Sequence, residues 1–183
     1  LGAEKVSFDT IVLFGNNSSK PHGVPSNRTL IRGDNILIDC GAKYYGYCSD
    51  MTRNIFFGNP TEKYLNVYNI VLEAQKRALE KAVFKAKLAD IDAAARDYIA
   101  EQGYGDKFGH ATGHGVGMDI HEKPSIAPPK NFLYPTLHDR MVVTIEPGIY
   151  LPGEFGVRIE DLIAVKGDKV YNLTNFSKEL IVL

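Results

Sequence analysis

Between Gly109 and Pro124 the chain reads GHATGHGVGMDIHEKP, which places three of its five histidines, His110, His114 and His121, within twelve positions. Gly109, Gly113, Gly115 and Gly117 are threaded among them. Glycine at this density costs a helix too much backbone entropy, so residues 107–118 must run extended. In an extended chain residues of equal parity share a face, which projects His110 and His114 the same way. His121 has the opposite parity, and the glycines between permit the bend or bulge that would bring it round. A single histidine is usually structural or simply exposed. Three in one segment whose glycines leave room for a ligand to approach the backbone point to a site.

The acids sharpen this. Asp39 ends the apolar run NILID, and Asp50 follows eleven positions later on a returning strand. With a turn near residues 44–46 the two carboxylates are opposite or diagonal neighbours, where like charges repel. The bland alternative is that one of them faces solvent. Glu146 follows MVVTI and precedes Pro147-Gly148; Glu160 sits between Ile159 and Leu162. Each interrupts a strand that otherwise reads as buried, and buried carboxylates pair or bind cations. Arg53 and Arg158 could pair two of the four, leaving the rest uncompensated.

Two aspartates, two glutamates and a histidine suit two divalent ions, whose charge four carboxylates and a bridging hydroxide nearly cancel. Oxygen ligands with one imidazole favour Mn²⁺, Co²⁺ or Zn²⁺ over a thiolate-bound metal. A water shared by two such ions becomes a hydroxide nucleophile at neutral pH. Histidines left off the metal can donate to a carbonyl oxygen or move protons.

The rest of the chain frames the site. Its 183 residues make one domain with a real core, and its net charge of −1 offers no basic field for nucleic acid. No apolar run is long enough for a membrane span and no leader resembles a signal peptide, so a cytoplasmic protein is expected. Cys40 and Cys48 are then reduced, a disulfide across a hairpin being the alternative. The chain begins at Leu1 rather than at a natural initiator, which suggests part of a longer protein.

Patterning predicts a strand over residues 6–15, a loop to about residue 27, and two strands within residues 35–57. A long helix is capped by Thr61, with Leu65, Tyr68, Leu72, Leu79 and Val83 as its apolar positions. A second helix covers about residues 90–102 and stops at Gly103. A loop over residues 128–139 precedes strands in MVVTIEPGIYL, GVRIEDLIAV and DKVYNLT. Acid-bearing strands before the helices and histidine- and acid-bearing segments after them describe two halves around one site. The fold class is α+β with a mostly antiparallel sheet.

The pieces KPHGVPSNRTLIRGD, ILIDCGAKYYGYCSDMTR, GHATGHGVGMDIHE, VVTIEPGIY and GVRIED, in this order, resemble the pita-bread metallopeptidases: aminopeptidase P, prolidase and methionine aminopeptidase. The resemblance implies the pita-bread (creatinase/aminopeptidase-like) fold, a curved antiparallel sheet in two pseudo-symmetric halves with helices on its outer face. It implies Asp39, Asp50, His114, Glu146 and Glu160 as ligands of two divalent ions, Mn²⁺ foremost and Co²⁺ or Zn²⁺ as alternatives, with Asp50 and Glu160 bridging them. His22, His110 and His121 would line the substrate pocket, Glu146 would also relay a proton, and Arg158 and Thr52 would support the ligands. RIED and YYGYCSDMTR resemble the proline-specific branch. That implies hydrolysis of the bond between an amino-terminal residue and a following proline in a short peptide, by a full-length protein that is a homodimer. The alternatives are a methionine aminopeptidase and a non-catalytic peptide-binding relative. Residues 1–183 would be a single catalytic domain lacking the family's first helices and any separate amino-terminal domain.

Overall fold

The structure, a computed structural model, describes residues 2–129 and 135–183. Two strands, β1 (Lys5–Val6) and β2 (Ile11–Phe14), replace the single strand expected over residues 6–15. Pairing explains the break. β2 runs antiparallel to β3 (Asn35–Cys40), whereas β1 pairs with β4 (Ala42–Tyr44), so residues 7–10 carry the chain from one sheet to another. The expected loop begins as a 3₁₀ turn, Gly15–Ser19.

β4 returns through Tyr45-Gly46, both at positive φ (+47° and +79°), into β5 (Tyr47–Cys48) and then β6 (Met51–Phe56). Two left-handed residues make the tight reversal whose twist matches a hairpin. Cys40 lies opposite Met51 and Cys48 opposite Lys43, and both are free thiols.

Helix α1 (Glu62–Lys81) starts where Thr61 Oγ1 accepts a hydrogen bond from the Tyr64 amide, the capping that its position predicts. Its buried stripe differs from expectation. Tyr68 is buried, but Leu65 and Val83 are exposed, and the stripe runs through Tyr64, Val67, Val71, Ala74, Gln75 and Ala78. Alanines carry little weight in a count of large apolar residues, yet Ala74 and Ala78 are fully buried in the core to which α2 (Leu88–Glu101) also contributes. Gly103, at φ +85°, follows that helix as its stop.

The remaining strands are β7 (Gly113–Gly115), β8 (Glu122–Ile126), β9 (Val142–Ile145), β10 (Gly148–Leu151), β11 (Phe155–Arg158), β12 (Asp161–Lys166), β13 (Lys169–Asn172) and β14 (Ile181–Val182). β8 and β14 were not expected from the sequence. Of residues 107–118 only β7 is regular strand. The loop expected over residues 128–139 falls partly outside the described residues.

The strands form a four-stranded sheet, β14-β6-β3-β2, a five-stranded sheet, β13-β12-β9-β7-β8, a three-stranded sheet, β1-β4-β5, and the ribbon β10-β11. Every pairing is antiparallel except β14 with β6. Both helices pack over the second half, burying Val71, Ile91, Ile99, Val143, Ile145 and Ile163 in one core. Each such side chain contributes ~1.5–3 kcal/mol relative to exposure. Over the first half, Val12, Phe14, Ile38, Met51 and Ile55 lie on one face of the four-stranded sheet and are half-buried. The described helices therefore flank the second half. None of the described helices is long and apolar enough to cross a membrane.

Candidate metal centre

Two strands and three strand ends deliver five ligand-type side chains to one space. Along β3, Asp39 shares a face with Asn35 and Leu37; it pairs across β6 with Thr52, which makes Asp50 its diagonal neighbour. That is one of the two placements that the turn allowed. Neither acid faces solvent: Asp39 is 8% and Asp50 6% exposed. Glu146 follows β9 and Glu160 precedes β12, each where one strand ends and the next begins, so that their side chains leave the ladders and turn to the same space. His114 is the central residue of β7.

The glycines around His114 are needed for close packing. A Cβ at Gly113 would collide with the carbonyl oxygen of Thr144, and one at Gly115 with that of Lys123. The pairing of β7 with β8 shifts register between His114 and Gly115. The irregularity leaves the ring of His121 4.4 Å from that of His114, so the residue of opposite parity reaches the same site.

Asp39, Asp50, His114, Glu146 and Glu160, together with His22, His110, His121 and Arg158, all line one cavity of about 450 Å³. Ligand atoms of Asp50, His114 and Glu160 lie within 4.8 Å of one another. His114 Nε2 is 3.6 Å from Asp50 Oδ2 and 3.4 Å from Glu146 Oε1. Its Nδ1 lies 2.9 Å from the Gly115 carbonyl oxygen, which can only accept. The proton is therefore on Nδ1, and Nε2 turns a lone pair toward the carboxylates. Burial lowers the His114 pKa and favours that neutral ring.

Arg158 is the cation of the cluster. Its Nη2 donates to Asp39 Oδ2 at 2.6 Å, its Nε to Thr52 Oγ1 at 3.1 Å, and its Nη1 to the Tyr150 hydroxyl at 3.0 Å. Thr52 in turn donates to Glu160 Oε2 at 2.6 Å. Arg53, expected as a second partner for the four acids, pairs instead with Asp161 at 2.7 Å and holds the Glu160 carbonyl at 2.6 Å. Strand parity is the reason: Asp50, Thr52 and Asn54 lie on the sheet face that carries Asp39, and Arg53 lies on the other.

One guanidinium among four carboxylates leaves excess negative charge. Burial, then the charges of Asp39 and Glu146, push Asp50 up to about 8. Burial pushes Glu146 up to about 7, and burial with the neighbouring carboxylates raises Glu160 well above its ordinary value. Asp39 Oδ1 and Asp50 Oδ1 are buried with no hydrogen-bond partner among the described residues. Unpartnered carboxylate oxygens around a neutral imidazole fit divalent cations, and the donor set, oxygens with one nitrogen, suits a borderline metal.

Two contributors were missed in the sequence. Thr144 Oγ1 accepts from the His114 amide at 3.0 Å and donates to Glu146 Oε1 at 3.0 Å, tying a histidine to a glutamate. A polar residue two positions before Glu146 in an apolar strand was the available signal. Tyr150 is buried, and its hydroxyl lies 2.8 Å from His110 Nε2. Its aromatic ring reads as core, and nothing in the sequence marks the hydroxyl.

The sequence model for metallopeptidase family M24 matches residues 1–167. The chain belongs to that family. Among M24 proteins, the Xaa-Pro dipeptidase of Pyrococcus furiosus is 48% identical over 180 residues, which cover 98% of this chain and 51% of that protein. The crystal structure of a prolidase from Thermococcus sibiricus superposes with a TM-score of 0.96 at 49% identity, covering 100% of this chain and 49% of that one. An X-Pro aminopeptidase from Thermotoga maritima superposes at 0.93 with 44% identity, covering 100% of this chain and 51% of that one. The fold is the α+β pita-bread arrangement that the resemblance implies. The M24 chain spans about half the length of the curated relatives it matches.

Proposed function

We propose that the protein is a divalent-metal exopeptidase that cleaves the bond between an amino-terminal residue and a following proline, as an Xaa-Pro dipeptidase or aminopeptidase. The observation that carries this is the convergence of four carboxylates and one neutral imidazole on a cavity wide enough for a short peptide. In this reading Asp39, Asp50, His114, Glu146 and Glu160 would hold two divalent ions, Mn²⁺ favoured over Co²⁺ or Zn²⁺. The ions, when bound, supply Lewis acidity and a water acidic enough to attack at neutral pH.

The chain's own groups do the rest. Arg158 fixes Asp39 and, through Thr52, Glu160, so the carboxylates meet the metals in one geometry. Glu146, oriented by Thr144, takes up the proton of the attacking water and returns it to the leaving amine. His22 and His121, exposed at the cavity wall, donate to the peptide on either side of the scissile bond. His110, whose Nδ1 faces the Ala111 carbonyl, is held neutral by burial, its pKa lowered to about 4. It meets the substrate as an uncharged ring.

The names carried by M24 relatives support proline at the second position. We further assign residues 1–183 to one catalytic domain. The half-buried apolar face of β14-β6-β3-β2 mirrors the face that α1 and α2 cover, and further helices of a longer protein would cover it. We place that protein in the cytoplasm as a homodimer. The test is release of the first residue from Xaa-Pro, Xaa-Pro-Yaa and Met-Ala peptides by full-length protein loaded with each metal. Cleavage of Met-Ala alone, or of none of them, overturns the reading.

A further inference from the structure

Helix α2 reaches the site through one pair of side chains that the chemistry above does not use. Asp92 and Arg96, one helical turn apart, are joined by two hydrogen bonds of 2.8 Å. Asp92 is 1% exposed. Both residues also grip the segment that leads into β7. Arg96 Nη1 donates to the Phe108 carbonyl at 3.0 Å and Nη2 to the His110 carbonyl at 2.7 Å. Asp92 Oδ1 accepts from Thr112 Oγ1 at 2.7 Å and from the Thr112 amide at 3.3 Å. The guanidinium also lies 4.3 Å over the Phe108 ring, whose edge meets the His110 ring at 5.1 Å.

Residues 108–112 have no regular strand pairing of their own, so these contacts define where the His110 backbone stands. An arginine fork is suited to this because it spans two carbonyls in a fixed plane while still pairing with a carboxylate; a lysine ammonium offers one point of attachment on a flexible stem.

We propose that Asp92 and Arg96 are positioning residues for the reaction: a clamp from α2 that sets His110 against the substrate, without touching substrate or metal itself. The proposal rests on the reading that His110 meets the peptide. A misplacement of about 1 Å by a residue away from the chemistry can cost ~10²-fold in rate.

The test uses full-length, metal-loaded protein with Arg96→Lys, His110→Ala and the double variant. Arg96→Lys keeps the charge beside Asp92 and removes the fork. The expected result is a kcat lowered ~10–10²-fold, with KM changed less than about twofold and bound metal unchanged. The double variant should be no slower than His110→Ala, because the clamp acts through that ring. Losses that multiply would overturn the proposal. A second readout does not depend on turnover: in histidine-labelled protein the ring resonances of His110 should move in Arg96→Lys while those of His22 and His138 stay. An unmoved His110 signal overturns the clamp. Should Arg96→Lys fail to fold, Thr112→Val removes the hydroxyl that Asp92 accepts from and should give the same signature more weakly. Wild-type protein that cleaves no Xaa-Pro peptide would refute the proposed function, and the resonance readout would still decide the clamp.

Discussion

Arg158 Nη2 stands 2.6 Å from Asp39 Oδ2, while the other oxygen of the same carboxylate is buried without a hydrogen-bond partner among the described residues. One oxygen is fixed by a guanidinium that carries three further hydrogen bonds, to Thr52, Tyr150 and Pro21. In the proposed reading the other oxygen would take a second cation, dividing one carboxylate between a permanent charge and an acquired one.

It follows that Arg158→Met should destabilise metal-free protein by about 3–5 kcal/mol, the usual loss when one partner of a buried pair is removed. Added Mn²⁺ should recover part of the loss, since the ions take over neutralisation of the carboxylates. Urea unfolding with chelator and with Mn²⁺ measures both. The same loss in the two conditions would show that Arg158 and the metal do not share a charge cluster.

The raised carboxylates give a pH dependence with a definite sign. Asp50 is pushed up to about 8 and Glu146 up to about 7 in the folded chain, from ordinary values near 4 when unfolded. Between those limits the folded state binds more protons, so stability falls as pH rises and is greatest below the unfolded values as far as these groups are concerned. Chelator-stripped protein should melt progressively lower from about pH 5 to 8, and metal should flatten the slope while releasing protons on binding. Melts across that range, with calorimetry in buffers of different ionisation heat, test it. A stripped protein whose melting temperature is level across that range contradicts the shared-charge picture.

What could be read in the sequence, and what could not, divides along physical lines. Asp39, Asp50, Glu146 and Glu160 stood out because a charge inside an apolar strand is costly and requires a partner, and all four line the cavity. The bend that brings His121 beside His114 was readable in the glycines. The fate of Arg53 was not, because its parity along β6 turns it to Asp161, and parity depends on which face of the strand is inside. Tyr150 and the α2 clamp were hidden for a similar reason. A tyrosine hydroxyl and a helical Asp–Arg pair carry no sequence sign of the backbone they will meet across the fold. The stripe of α1 was misjudged where alanine, rather than leucine, is the buried residue.

The histidines should separate by function. His114→Ala removes the ring whose Nε2 faces Asp50 and Glu146, and should lose bound metal. His110→Ala and His121→Ala should keep metal and lose turnover, and Glu146→Gln should lower the rate by ~10²–10⁴-fold with the fold retained. Metal analysis by mass spectrometry alongside kinetics decides this. Equal metal loss in all three histidine variants would mean that the ligand is wrongly assigned.

Metal should also stabilise the folded chain strongly. Without it, Asp50, Glu146 and Glu160 face one another around a buried cavity, and holding them together costs either repulsion or bound protons. Ions that bind the folded site and have little affinity for the unfolded chain add ~2.7 kcal/mol at free metal about 100 times the dissociation constant. At ~2–4 °C per kcal/mol for a domain of this size, the melting temperature should rise by roughly 5–10 °C. Mn²⁺, Co²⁺ and Zn²⁺ should act in this way, and Mg²⁺ less, because it sheds water reluctantly and one donor is an imidazole. The variant carrying both Asp50→Asn and Glu160→Gln separates repulsion from ligation. It no longer has two groups that must be either charged against their neighbours or protonated, so it should melt above stripped wild type; it has also lost two of the carboxylates assigned as ligands, so metal should raise it little. If it melts below stripped wild type, the carboxylates were held by their hydrogen bonds, such as Thr52 to Glu160 at 2.6 Å, more than they were opposed by their charges, and the cluster is not poised for cations in the way described.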